Sequence, residues 1–178
     1  MSLNSSAGES RVTLNILNSS KGELISSVVL DGVMPYGAYF VSDNRVVLIC
    51  DESTFVYDLK GELVGQYDYH GELTQIAVTN GGFSLLFDDA SVNLGNLLLV
   101  FDDNAKLEHS AKLVGNVSDL KMHDKKVYLL FDKEILRIDS RYGSEQRADF
   151  VGENAEILVF DSGEVIVCTP VAAYYTPF

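Results

Sequence analysis

The sequence predicts an all-β fold, a propeller of four-stranded antiparallel blades, and three observations predict it. The first is an internal repeat. An apolar residue, four turn-forming residues and a second apolar residue recur without gaps as VSDNRV (41–46), VTNGGF (78–83), MHDKKV (122–127) and FDSGEV (160–165), at spacings of 37, 44 and 38 residues. The second is a matching set of apolar runs directly after these motifs. VVLICD, FSLLFD, VYLLFD and VIVCTP align, so Asp51, Asp88 and Asp132 share one repeat position, taken by Pro170 in the last copy. The third is that no stretch sustains a 3.6-residue apolar period, which leaves little room for helix.

Each repeat reads as strands A to D. The run after the turn is apolar at successive positions, and a strand apolar on both faces needs cover on both. A third strand ends in a polar turn (FVYDLKGEL, LLLVFDDNAKL, ILRIDSRYGSE), where Gly61, Asn104 and Gly143 suit the positive φ of tight hairpins. A more polar fourth strand completes the repeat (LVGQYDY, LEHSAKL, EQRADFV). Four short strands per ~40 residues is the period of a propeller blade.

The blades are placed at residues 36–69, 73–114 and 116–151. Residues 12–18 and 23–30 match strands C and D, and residues 155–160 and 164–169 match strands A and B. Residues 12–30 with 155–169 are therefore expected to share one split blade, since pairing the termini removes exposed strand edges. The ring is then four-bladed, or the chain is half of a larger ring whose half-blades pair with another copy, as a homodimer, or with residues outside this sequence. Residues 1–10 carry no periodic pattern and read as a disordered tail or expression-vector remnant, with the propeller over 11–178. The apolar end VAAYYTPF (171–178) reads as a further strand or a point of continuation.

Composition narrows the function. Of 178 residues 47% are hydrophobic and 22% charged, which suits a packed domain. Acidic residues outnumber basic ones 26 to 13, and a net charge of −13 disfavours nucleic acid and anionic lipid as partners. Cys50 and Cys168 sit in apolar runs with no C-x-x-C or Cys/His cluster, so they read as small buried hydrophobes, and no cofactor or metal is expected. His70, His109 and His123 fall in different parts of the repeat without ligand spacing. The pairs Asp88-Asp89 and Asp102-Asp103 cannot each form a glycosidase dyad, because strand neighbours point to opposite sides. Asp102 instead matches Asp58 and Asp139 at a structural turn position. Nucleophile-elbow, phosphate-loop and dinucleotide motifs are absent from the sequence.

Propeller connectivity sorts the loops. The D-to-A and B-to-C connections share one rim, and that rim collects Asp51, Asp88, Asp89, Asp132, Tyr69, His70 and Glu72, the expected partner face. Convergent carboxylates suit a basic protein or a cation. Trp is absent, while Tyr36, Tyr39, Tyr67 and Tyr69 cluster in the first full blade as a candidate aromatic patch.

The order of motifs VSDNRVVLICDESTFVYDLKGELV, LLLVFDDNAKL and VYLLFDKEILRIDSRYG resembles WD40-like and quinoprotein-like bacterial propellers. In particular it is similar to the C-terminal half of an uncharacterised family of membrane-anchored bacterial propellers, classed as a domain of unknown function. That resemblance covers most of residues 12–169 and implies an exported propeller at the cell envelope, longer than this chain and held by a helix this sequence lacks. It supplies no catalytic residues. The expected function is a non-catalytic scaffold for a protein or peptide partner; the alternative is a carbohydrate- or cation-binding module using the acidic loop face.

Overall fold

The computed structural model describes residues 2–6, 11–150, 155, 157–161 and 164–176, and among them every regular element is a strand. The strands form five sheets, taken in chain order. The first holds β1 (Ser2–Ser6), β2 (Arg11–Leu17) and β3 (Leu24–Asp31), the second β4 (Pro35–Ser42), β5 (Arg45–Cys50), β6 (Ser53–Asp58) and β7 (Leu63–Asp68). The third holds β8 (Glu72–Thr79), β9 (Gly82–Asp89), β10 (Gly95–Asp102) and β11 (Leu107–Val114), the fourth β12 (Asp119–His123), β13 (Lys126–Leu130), β14 (Glu134–Asp139) and β15 (Glu145–Asp149). The last holds β16 (Ile157–Asp161), β17 (Glu164–Cys168) and β18 (Ala173–Thr176). Three sheets thus have the four-stranded meander of a blade, and each is antiparallel wherever its register is described.

At the two ends, β2 and β3 take β1 as their third strand, while β16 and β17 take β18. Ser2–Ser6, read from sequence as tail, pair with β2 from Ser2↔Asn15 to Ser6↔Arg11. A polar segment gains order this way because an adjacent edge strand supplies a ready hydrogen-bonding partner. Residues 7–10 lie outside the described residues. The apolar end does form a strand, with Ile166 opposite Tyr175.

The strands divide into two compact units. The first comprises Met1–Gly71, Asn80–Gly82 and Phe101–Lys106. Its core joins Leu14 and Ile16 of β2 to Val46 of β5 and Tyr57 of β6, with Val28, Ala38 and Phe55 at its margin. Val46 to Cys50 are all fully buried, as an inner strand covered on both faces must be, whereas β2 alternates buried Val12, Leu14 and Ile16 with more open Thr13 and Asn15. The turn after β6 is fixed by Asp58, whose Oδ1 accepts the amides of Lys60 (2.8 Å) and Glu62 (2.9 Å). That turn seats on β3, where the Ser26 hydroxyl donates to the Leu59 carbonyl at 2.9 Å. In the same unit the turn at 102–106 seats on β7: the Asn104 carbonyl oxygen lies 1.9 Å from where a Cβ on Gly65 would be. The half-buried Arg45–Asp103 ion pair (2.8 Å) and the edge-on Tyr67–Phe101 contact (4.9 Å) hold that turn in place.

The second unit comprises Glu72–Thr79, Phe83–Val100 and Leu107–Phe178. One core cluster runs through Leu86, Leu98, Leu113, Leu120, Leu129 and Leu136, and another through Tyr128, Leu130, Ile135, Leu158 and Val167. The first strands of successive blades lie side by side, β8 against β12 and β12 against β16, as propeller inner strands do. Asp119 ties two of those blades by accepting the Leu158 amide at 2.8 Å. The turn after β14 repeats the aspartate cap, with Asp139 accepting the amides of Arg141 (2.9 Å) and Tyr142 (3.2 Å), and Gly143 packs against the His109 ring. His123 stacks on Phe160, with centroids 5.0 Å apart.

The three aspartates aligned in the sequence, Asp58, Asp102 and Asp139, therefore share one job: a carboxylate closing a turn on backbone amides. The turn glycines are less uniform. Gly61 (φ 83°) and Gly143 (φ 63°) take the left-handed conformation, but in the 102–106 turn it falls on Ala105 (φ 59°), one residue after Asn104. Asp102 caps the Asn104 amide at 2.8 Å, which holds Asn104 in the turn and passes the reversal to its neighbour.

Candidate functional site: two acidic loop clefts

In the first unit a cleft of about 330 Å³ opens where the β3–β4, β5–β6 and β7–β8 connections meet. Asp51, Glu52, Asp68 and His70 line it beside Ser53, with no lysine or arginine in the lining. The Asp51 carboxylate is held by the Met34 amide (3.1 Å), and the Asp51 amide donates to the Met34 carbonyl (2.9 Å), so the cleft is fastened to the start of β4.

Tyr69, grouped from sequence with the partner face, turns inward instead. It is 5% exposed, and its hydroxyl lies 2.5 Å from the Cys50 carbonyl and 3.0 Å from that of Ser53. Its amide donates to the Glu52 carbonyl at 2.9 Å. The phenol thus clasps the loop that carries Asp51 and Glu52 and acts as a positioning residue. Phe150 takes the same position in a later repeat, buried, with its amide donating to Lys133; aligning QYDY with RADF was the signal for an inward ring. Burial first, then the neighbouring Cys50, raises the Tyr69 phenol well above its ordinary value; burial and Asp51 push the Cys50 thiol up to about 12. Neither group is an available nucleophile.

In the second unit a cleft of about 310 Å³ gathers Glu72, Asp88, Gln75, Thr74 and Asn96. The amide groups of its side chains are committed inward: Gln75 donates to the Val117 carbonyl (2.9 Å) and Asn96 to that of Gly115 (2.8 Å). Their carbonyl oxygens, with the two carboxylates, leave a lining of acceptors suited to a ligand that brings donors.

The remaining sequence candidates stand apart from both linings. Asp89 is occupied: Ser91 hydrogen-bonds to it (2.5 Å), Lys112 lies 3.6 Å away, and those bonds lower its carboxyl below the usual value. Asp132 is exposed in the β13–β14 loop. Asp51 and His70 thus meet in one cleft and Glu72 and Asp88 in the other. Among the described residues no group of three or more His, Cys, Asp or Glu side chains is placed to hold a metal ion. Of the tyrosine cluster, Tyr67 and Tyr69 pack inward while Tyr36 and Tyr39 are exposed on β4.

Comparison with solved structures supports the architecture. BamB from Moraxella catarrhalis superposes with a TM-score of 0.58 at 14% identity, covering 91% of this chain and 55% of that one. The Pan2 WD40 domain of Neurospora crassa gives 0.60 at 10% identity, covering 97% and 60%. A BBS1N structure in complex with ARL6DN gives 0.59 at 11% identity, covering 98% and 63%. The chain spans less than two-thirds of the length of each, and at these identities the likeness establishes the fold, a β-propeller. No curated protein matches the sequence. A family model does match, over residues 1–172, and by that match the chain belongs to DUF5711, a family of unknown function.

Proposed function

We propose that this chain is a non-catalytic propeller scaffold that binds a protein or peptide partner through its acidic loop clefts, at the bacterial cell envelope. The observation that carries the reading is the lining of those clefts: carboxylates and the side-chain carbonyl oxygens of Gln75 and Asn96, whose amide nitrogens donate to backbone carbonyls, with no lysine, arginine or activated nucleophile in either lining. Such a surface recognises charge and shape. Asp51, His70, Glu72 and Asp88 are the contact residues in this reading, and Asp89 and Asp132, outside both linings, are further acidic residues of the proposed face. That BBS1N was solved in complex with ARL6DN is a precedent among the similar structures for a protein partner. Envelope location rests on the family resemblance of the sequence.

Photo-crosslinking from a benzophenone side chain placed at Glu52 or Glu72, in the native host, tests the proposal. A discrete crosslinked protein seen from these positions and absent when the probe sits at Lys60 is the expected result. Hydrolase turnover by the purified chain, with no crosslink from either cleft, would overturn it.

A further inference from the structure

The inner strand β4 differs from its counterparts. In β12 polar Asp119, Lys121 and His123 alternate with buried Leu120 and Met122, and β8 opens with Glu72, Thr74 and Gln75. Around β4, by contrast, Met34 (67%), Tyr36 (52%) and Phe40 (53%) are broadly exposed, and Tyr39 folds its ring over Gly37, where a Cβ would stand 2.5 Å from the phenol oxygen. The register of β4 on β5 shifts between Pro35 and Gly37, which leaves Tyr36 without an opposite residue, and shifts again between Phe40 and Ser42. Bulges re-aim side chains in this way. Among the described residues no strand hydrogen-bonds to β4 on the side away from β5. Pro35 and the two bulges protect that edge against strand addition, so what β4 presents is its side chains.

This apolar row joins the first cleft directly. Met34 is bonded to Asp51 through both its amide and its carbonyl, and Glu52 and Asp68 lie beyond in the same lining. The strand that carries exposed Tyr36 and Phe40 is thus anchored, through Met34, to a cleft lined by three carboxylates. We propose that β4 and this cleft dock an extended segment of a protein partner in which arginine alternates with apolar side chains. The carboxylates complement the guanidinium, ring faces attract cations, and the apolar side chains cover Met34 and Phe40. The inference rests on the scaffold reading and names the partner's chemistry.

The test uses fluorescence anisotropy with a labelled peptide of eight residues, the length of β4, alternating Arg and Leu. Three doubly substituted chains are compared with the unaltered one after thermal melts confirm that each folds: Tyr36→Ser/Phe40→Ser, Glu52→Gln/Asp68→Asn, and Glu62→Gln/Glu108→Gln as an equal loss of charge elsewhere. The expected result is binding weakened about tenfold or more by each of the first two pairs, a change under about twofold for the third, and no binding of a Glu–Leu peptide. Equal weakening by both acidic pairs, unaltered binding by the aromatic pair, or no binding of the Arg–Leu peptide would overturn it. A crosslinked partner that binds the Tyr36→Ser/Phe40→Ser chain as tightly as the unaltered one would also overturn this docking line while leaving the scaffold reading intact.

Discussion

Replacing Gly65 by alanine puts the packing of turn against strand to a severe test. The added methyl would sit 1.9 Å from the Asn104 carbonyl oxygen and 2.9 Å from its carbon, so turn and strand must part by more than about 1 Å to reach an ordinary contact. The turn has little freedom to give. Asp102 accepts the amides of Asn104 (2.8 Å) and Lys106 (2.9 Å), Ala105 is buried, and Asp103 is paired with Arg45 at 2.8 Å. Overpacking costs about 1–3 kcal/mol where neighbours can shift, and each capping bond lost adds about 1 kcal/mol. The expected destabilisation is about 3 kcal/mol. Gly22→Ala is the matched control: φ is +69° but the space is open, so only backbone strain of about 1 kcal/mol applies. Urea unfolding followed by tyrosine fluorescence measures both. A Gly65→Ala cost no larger than that of Gly22→Ala would refute the idea that the glycine is there for close approach.

Other substitutions probe the core, the hairpins and the buried polar groups. Leu86→Asp and Leu130→Asp, at 1% and 0% exposure, should each cost about 3 kcal/mol or more and abolish the cooperative melt; a normal melt would show the buried positions are misplaced. Lys125→Gly should raise the melting temperature by about 2–4 °C, because Asp124 and Lys125 both hold positive φ (47° and 60°) in the β12–β13 hairpin; no gain would contradict the strain there. Tyr69→Phe should cost about 1–3 kcal/mol and loosen the 51–53 loop, seen as faster amide exchange at Glu52 and Ser53. The Cys50 thiol holds its proton more tightly folded than unfolded, so above pH 9 the unfolded chain binds fewer protons and stability falls as pH rises toward 12. Cys50→Ala should flatten that alkaline decline between pH 9 and 10, and an unchanged slope would assign it to the buried tyrosines.

The sequence was most legible where chemistry repeats. The apolar runs that follow Arg45 in β5 and Lys126 in β13, and the aspartates at 58, 102 and 139, are products of strand burial and turn chemistry that act over a few residues. What escaped were features decided by distant backbone. Ser2–Ser6 have no apolar pattern, and their pairing depends on the hydrogen-bonding edge of β2. Tyr69 sat among carboxylates in the chain, and only its alignment with Phe150 hinted that its ring is structural. The acidic rim was visible as composition, but its division came from folding: Asp51 and His70 share one cleft, Glu72 and Asp88 another, while Ser91 and Lys112 occupy Asp89.

Because each terminal sheet draws its third strand from its own end, the hydrogen-bonded pairs of the first sheet all fall within residues 2–31 and those of the last within 157–176. Strand pairing at either end closes only short loops, and the entropic cost of such closure is small. Low contact order of this kind favours fast folding. Each of these sheets can therefore pair from its own local segment without waiting for the other to form.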